Sequence, residues 1–475
     1  MAALARTRIA GSALALVLVL VGVLGGCESG GLDSTTAGRD EAAAPLPALI
    51  SRGPNPPNLL VIITDDQRAT GTLGVMPATR RWFADGRRFS DAYVTTPLCC
   101  PSRATIFSGR YAHNHGVWLN NDPHLLDEPQ FQTELRSAGY ETAIVGKYMN
   151  NWPLARAPVG FRDYWTTTGG YNDTKWNENG ALRTVATYST RYIGDLATRF
   201  IADAEASDSR PWFLYVAPTA PHGPLEPEPR YADAPVGRFP ISPAVRERDL
   251  ADKPPYVDAL TPETKSPHSY PEGVRAGQLR TLISVDDLVG RLRRVIEESG
   301  ESRRTLVIFT SDNGLMWGEH GGAVLKDLPY PESIRVPLLM RWPGRLGGGI
   351  DDRLVANVDF GATLLDAAGL SGARWGDGRS ILGDFSRDHL LIEYGGLQSP
   401  EIPPWASIVT PDVQMTEYFR GSPTSTDRTF SEFYRTDEDP WELQNLAADR
   451  TLPPAAFALR RRLEADRVCR GRSCP

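Results

Sequence analysis

Asn58-Leu59-Leu60-Val61-Ile62-Ile63-Thr64-Asp65-Asp66 decides the architecture. A short, continuous apolar run is the pattern of a strand buried on both faces of a parallel sheet, and this one stops abruptly on two carboxylates. The same construction returns at Thr305-Leu306-Val307-Ile308-Phe309-Thr310-Ser311, which ends in Asp312-Asn313-Gly314. Two further runs behave alike: Thr142 to Gly146 ends at Lys147, and Trp212 to Ala217 leads to Pro221-His222. Between them lie helical patterns, for example Gln278 to Glu298, where Leu279, Leu282, Ile283, Leu288, Leu292 and Ile296 recur at helical spacing. The alternation predicts an α/β fold with a mainly parallel sheet flanked by helices. Ligands in such folds sit beyond the carboxyl ends of the strands, so four polar strand ends predict one site.

The rest of the 475 residues sorts around that core. Arg6 and Arg8 precede an apolar run from Ile9 to Val23, of signal-peptide length and short for a membrane span. It closes in Leu24-Gly25-Gly26-Cys27, which resembles a bacterial lipobox. That resemblance implies cleavage before Cys27, lipidation of Cys27, and tethering to the outer face of a bacterial cell membrane; a plain secretory signal with a chance cysteine is the alternative. The expected organisation is a lipoprotein signal over 1–26, a Gly/Ala/Pro/Ser-rich flexible tether over 27–57, a catalytic domain over 58–384 and a smaller C-terminal α+β subdomain over 385–475. The last shows short extended pieces at His389 to Tyr394 and Thr429 to Tyr434, then a helix near Ala455 to Ala465. Pro224 to Gly273, rich in proline and charge, reads as a long loop at the rim of the site, with His268 a surface residue in it. A net charge of -7 argues against a nucleic-acid partner. An anionic substrate must then be held by a local basic site, and a long polyanion such as heparan sulfate is disfavoured. Cys469 and Cys474 can staple the C-terminus or remain an unpaired tail, whereas a bond between adjacent Cys99 and Cys100 would be strained.

Leu98-Cys99-Cys100-Pro101-Ser102-Arg103 opens a short helix, with Pro101 suited to its first position and Gly109 to a left-handed stop after Ser108. Cys99 then lies in the turn before a helix N-terminus, with Arg103 and Arg110 nearby: a setting for chemistry. Asp65, Asp66, Asp312 and Asn313 offer only oxygen ligands, the preference of Ca2+ or Mg2+, and no His/Cys cluster has zinc spacing.

Cys99-x-Pro101-Ser102-Arg103 followed by Thr105-x-x-Ser108-Gly109-Arg110 resembles the signature of the formylglycine-dependent sulfatases of the alkaline-phosphatase superfamily. The resemblance extends through Asp65-Asp66, Gly146-Lys147, Pro221-His222, Asp312-Asn313-Gly314, Arg335-Val336-Pro337 and Asp439-Pro440-Trp441-Glu442-Leu443. The doubled cysteine, Tyr111-Ala112-His113-Asn114-His115 and Lys147-Tyr148-Met149-Asn150 look most like the N-acetylglucosamine-6-sulfatase and endosulfatase branch. It implies an alkaline-phosphatase-like fold and a sulfuric-ester hydrolase acting on a carbohydrate, such as an N-acetylglucosamine 6-sulfate, or on an aryl sulfate. Cys99 would be converted to formylglycine by a formylglycine-generating enzyme. One hydroxyl of the aldehyde hydrate would attack sulfur and the other would then expel sulfate. Ca2+, with Mg2+ the lesser choice, would be held by Asp65, Asp66, the modified Cys99, Asp312 and Asn313.

By the same resemblance Arg103 neutralises a metal carboxylate and holds the hydrate, while Lys147 and Lys326 bind sulfate oxygens. His222 is the expected acid for the leaving alcohol, with Lys326 its rival, and His115 orients or deprotonates the hydrate. Many sulfatases carry a His where this chain has Met149. His113 and His320 read as supporting or surface residues. Trp152, Trp165, Trp176 and Tyr171 suit core or rim packing better than a sugar platform. Two other readings stand beside this one: a phosphoester or phosphonate hydrolase on the same scaffold, and a catalytically silent lipoprotein that binds sulfated glycans.

Overall fold

Ten strands build the central sheet: β1 (Asn58–Thr64), β2 (Arg87–Phe89), β3 (Glu141–Lys147), β4 (Asp163–Thr167), β5 (Thr174–Glu178), β6 (Ala181–Val185), β7 (Trp212–Ala217), β8 (Thr305–Ser311), β9 (Leu338–Arg341) and β10 (Gly349–Asp351). Their spatial order is β10-β2-β9-β8-β1-β7-β3-β4-β5-β6. The middle five, β8-β1-β7-β3-β4, are parallel throughout. The computed structural model describes residues 56–121, 129–238, 241–259, 271–370, 374–396, 402–447 and 452–475. The signal segment, Cys27, most of the tether and His268 lie outside these residues. No helix among the described residues is long and apolar enough to cross a membrane.

The apolar runs do what their composition dictates. Every residue of β1, β7 and β8 is buried. Leu59, Val61 and Ile63 point into one core, while Leu60 and Ile62 point into the other. Each fully buried Leu, Ile or Val stabilises the fold by about 1.5–3 kcal/mol, so these strands anchor both layers at once. On one face lie the helices α2 (Ser189–Ser207) and α3 (Pro271–Glu298), packed through Ile193, Leu196, Leu279, Leu282 and Leu292. On the other lies α1 (Cys99–Ser108), contributing Cys100, Ala104, Ile106 and Phe107. Trp176 and Tyr171 are fully buried in the α2/α3 core, and Trp152 and Trp165 pack against the cores.

Two local expectations need correction, and a third is narrowed. α1 starts earlier than Pro101: Leu98 is its extended N-cap, Cys99 its first residue and Pro101 its third. Proline fits there because the first turn's amides have no intrahelical acceptor to lose. Gly109 does end the helix, with φ 66. The Pro224 to Gly273 stretch is not all loop, since Pro229–Tyr231, Pro243–Arg246 and Pro255–Ala259 form short helical turns and α3 begins at Pro271. Of the supporting and surface readings of His320, it takes the supporting one: it is buried, bonded through Nδ1 to Glu247 (2.6 Å) and stacked on Tyr330.

The C-terminal region carries a four-stranded antiparallel sheet of β11 (Leu390–Tyr394), β12 (Trp405–Val409), β13 (Val413–Phe419) and β14 (Arg428–Arg435). The helix α4 (Pro454–Asp466) follows. Its core is continuous with Tyr93, Leu98 and Tyr111, which flank α1. Cys469 and Cys474 form a disulfide. The Cys469 carbonyl accepts hydrogen bonds from His113 Nε2 and Asn114 Nδ2, both at 2.9 Å, while His113 Nδ1 meets Glu393 at 3.0 Å. The C-terminus is thereby clamped onto the turn that follows α1.

That clamp is charged. Burial alone would lower the His113 pKa, but Glu393 outweighs it and the Cys469 carbonyl adds to the effect, raising it from 6.5 to about 9. A raised folded-state pKa stabilises the fold fully below the unfolded value and loses that stabilisation as pH climbs through the folded one. Denaturation midpoints measured below pH 6.5 and above pH 9 are therefore expected to differ more for the native chain than for His113→Gln.

Candidate active site

Strand register places the site. β1 and β8 pair in parallel to their last residues, Thr64 opposite Ser311, so Asp65 and Asp312 emerge side by side. The Asp312 amide donates back to the Thr64 carbonyl at 3.1 Å. Next door, β3 delivers Lys147. A side chain at Gly146 would put its Cβ 2.1 Å from the Ala217 carbonyl oxygen, and the residue has φ 114, so only glycine lets β3 approach β7 this closely. α1 sits over these ends with all ten residues buried, Arg103 among them at 0 % exposure.

The result is a buried cluster of three carboxylates and three cations. Asp65 accepts a very short hydrogen bond from Lys147 Nζ and faces Arg103 Nη2 at 3.8 Å. Arg103 Nε donates to Asp312 Oδ2 at 2.8 Å and its Nη1 to the Lys147 carbonyl at 2.8 Å. Asp66, with a left-handed φ of 68, takes Lys326 Nζ and Asn313 Nδ2 on one oxygen, each at 2.6 Å. His222 Nε2 lies 3.7 Å from its other oxygen. Three negative and three positive charges leave the cluster neutral.

Burial alone would push the Asp65 pKa up, but Lys147, His222, Arg103 and Lys326 together bring it well below the usual carboxylate range. Asp312 is raised instead, by burial and by Asp65. Burial also raises the Cys99 thiol well above its usual value, despite Lys147 and Lys326. A helix N-terminus and two cations thus do not make this cysteine a standing thiolate.

Of the residues singled out from sequence, most converge. Cys99 Sγ lies 2.9 Å from Lys326 Nζ and 3.5 Å from Asp65 Oδ1. Asp65, Asp66, Cys99 and His222 each offer one ligand atom within 4.8 Å of the others. Asn313 Oδ1 is buried with no hydrogen-bond partner. An orphaned carbonyl oxygen on a residue bonded to Asp66 is what an oxygen-seeking cation would satisfy, so the donor set fits Ca2+ or Mg2+. His115 is placed differently from the rest. Its Nδ1 accepts the Val117 amide at 3.0 Å and its Nε2 faces the Thr105 hydroxyl at 3.1 Å, so both ring nitrogens are engaged within the protein.

Cys100 gains a function the sequence did not suggest. Its sulfur accepts the Asn150 amide at 3.0 Å and donates to the Asn120 carbonyl at 3.2 Å, tying α1 to the segment after Lys147. Another residue without a local signal is Gln278, in mid-helix, which reaches the Asp66 carbonyl across 212 residues of sequence.

Comparison with known proteins agrees with this geometry. The family model Sulfatase matches residues 57–370, and the model N-sulphoglucosamine sulphohydrolase, C-terminal, matches residues 318–468. The chain is 30% identical to the N-acetylglucosamine-6-sulfatase of Homo sapiens, over 90% of this chain and 87% of that one. It is 33% identical to the Extracellular sulfatase SULF-1 homolog of Drosophila melanogaster over 69% of this chain, spanning 31% of that longer protein. A solved protein in complex with its substrate D-Glucosamine-2-N, 6-O-disulfate shares the fold with a TM-score of 0.72 at 24% identity, covering 86% of this chain and 96% of that chain.

The cluster fixes the sign and size of one mutational effect. Arg103→Met leaves Asp65 and Asp312 without their buried guanidinium, a loss of roughly 3–5 kcal/mol. Urea denaturation of the variant is expected to show the correspondingly lower midpoint.

Proposed function

The chain belongs to the sulfatase family, and from that membership we propose that it releases sulfate from a glucosamine-type sugar sulfate by way of a formylglycine made from Cys99. The observation that carries the reading is the placement of Cys99 between Asp65 and Lys326, beside the orphaned Asn313 oxygen. The amino-sugar preference is supported by the relatives named N-acetylglucosamine-6-sulfatase and by the sulfated glucosamine in the solved complex. The Gly26-Cys27 lipobox supports an exported, lipid-anchored protein, as do relatives named extracellular.

Asp65, Asp66, Asp312, Asn313 and the residue formed from Cys99 would hold a calcium ion. When present, the aldehyde hydrate and the cation supply an acidified hydroxyl nucleophile. The protein's own side chains do the rest. Lys147 and Lys326 flank the Cys99 sulfur position and bind sulfate oxygens there, offsetting charge that builds in the transition state. Arg103 holds Asp312 and the Lys147 carbonyl, so the lysine approaches from a fixed direction.

His222 Nδ1 donates to the Gly223 carbonyl at 2.6 Å, which leaves Nε2 to carry a proton toward the leaving alcohol. His222 is one-third exposed, so it stands where that alcohol departs. His115, bonded to Thr105, braces α1 beneath Cys99.

Sulfate release from glucosamine, galactose and aryl sulfates tests the reading. Cys99→Ala is expected to fall to background, and chelation is expected to stop turnover until Ca2+ is restored. His222→Asn should lose about 10²–10⁴-fold on a sugar sulfate and far less on an aryl sulfate, whose leaving group needs no proton. Cleavage of phosphate esters with every sulfate ester untouched would overturn the proposal. Mass spectrometry of the Cys99 peptide adds a second arm, since an intact thiol in native material would mark a silent glycan-binding protein.

A further inference from the structure

α3 crosses beneath the active-site loops and turns one fully buried side chain up into them. Gln278 Nε2 donates to the Asp66 carbonyl at 3.1 Å and to the Pro221 carbonyl at 3.2 Å, while its Oε1 accepts the Trp317 indole N–H at 2.6 Å. A reversed amide would set oxygen against two carbonyls and N–H against N–H, so one orientation is dictated. The three partners belong to three loops: the one after β1 that bears Asp66, the one after β7 that bears His222, and the one after β8 that follows Asp312 and Asn313.

The carbonyl Gln278 holds belongs to a residue with a left-handed backbone. Asp66 has the left-handed φ of 68, uncommon for a non-glycine residue though easier for Asp than for most. That conformation turns the Asp66 carboxylate to Asn313 and Lys326. Pro221, the second acceptor, immediately precedes His222. Trp317, which fixes the amide from the other side, is itself held through its backbone N–H to Glu319 (2.5 Å) and lies under the Arg68 guanidinium, 4.5 Å from its ring centroid.

We propose that Gln278 is a positioning residue that presets the Asp66 turn for the cation and registers the His222 loop against it. The inference rests on the metal reading above. No other natural side chain reproduces two donors and an acceptor at this reach. Methionine matches the length and lacks all three groups.

The test is calcium binding to the full matured chain, by calorimetric titration and by thermal unfolding with Ca2+ or with chelator. In Gln278→Met the Ca2+ dissociation constant is expected to rise roughly tenfold, as expected when buried hydrogen bonds are removed, and the Ca2+-dependent gain in melting temperature to shrink. Trp317→Phe, which removes only the indole donor and keeps Gln278, should move both readouts the same way by less, and it decides the matter should Gln278→Met not fold. Variants that melt lower in chelator yet bind Ca2+ as the native chain does would show a purely structural glutamine and overturn the proposal. A native chain that binds no Ca2+ would instead overturn the metal reading beneath it.

Discussion

Three carboxylates share one buried pocket at the ends of two paired strands, and every other feature of the site follows from making that tolerable. Unpaired like charges at such distances would protonate or unfold the loops that bear them. Arg103, Lys147 and Lys326 prevent this, each bonded to one of Asp312, Asp65 and Asp66. The compensation sets architecture. It requires a helix deep enough to bury a guanidinium, a strand allowed by Gly146 to run close to its neighbour, and a loop that returns Lys326 to Asp66. The cations therefore have two roles, holding the carboxylates apart and presenting positive charge to an anion.

Charge balance connects this to the chemistry. The pocket as it stands is neutral, so a divalent cation would leave it at +2, enough to draw a sulfate ester into a protein whose net charge is -7. The overall acidity, which by itself speaks against anionic substrates, is thus overridden locally.

The strand ends were legible because burial on both faces demands uninterrupted apolar residues, and a polar residue closing such a run has to sit at the sheet's edge. Asp65, Lys147 and Asp312 were found that way. Lys326 followed only from the family resemblance, and the structure supplies its reason in Asp66 and Cys99. What stayed hidden depends on tertiary contact. The start of α1 at Cys99 is set by an extended Leu98, which carries no capping side chain. β12 and β13 mix Ser407, Thr416 and Glu417 into buried strands that pair only with one another and with β11 and β14. Gln278 lies on the buried face of an amphipathic helix, where its neighbours are apolar and nothing local separates an anchoring amide from a filler. The Cys469–Cys474 bond was one of two open possibilities until the His113 and Asn114 contacts placed both cysteines against the turn after α1.

Depth orders the reacting groups. Arg103 and Cys99 are wholly enclosed, Lys326 is slightly open with 15% of its side chain exposed, and His222 is a third exposed. On the proposed reading the nucleophile position lies at the floor, the sulfate oxygens meet the lysines above it, and the bond to be broken points outward. The leaving alcohol must then cross the His222 level to reach solvent, so the proton donor stands on the exit path and not beside the nucleophile. On the proposed reading the groups that meet the sugar come from the rim, where Glu226, bonded to Asn172, follows the His222 loop. On that reading the deep pocket selects the sulfate group, and this outer wall selects the alcohol that carries it.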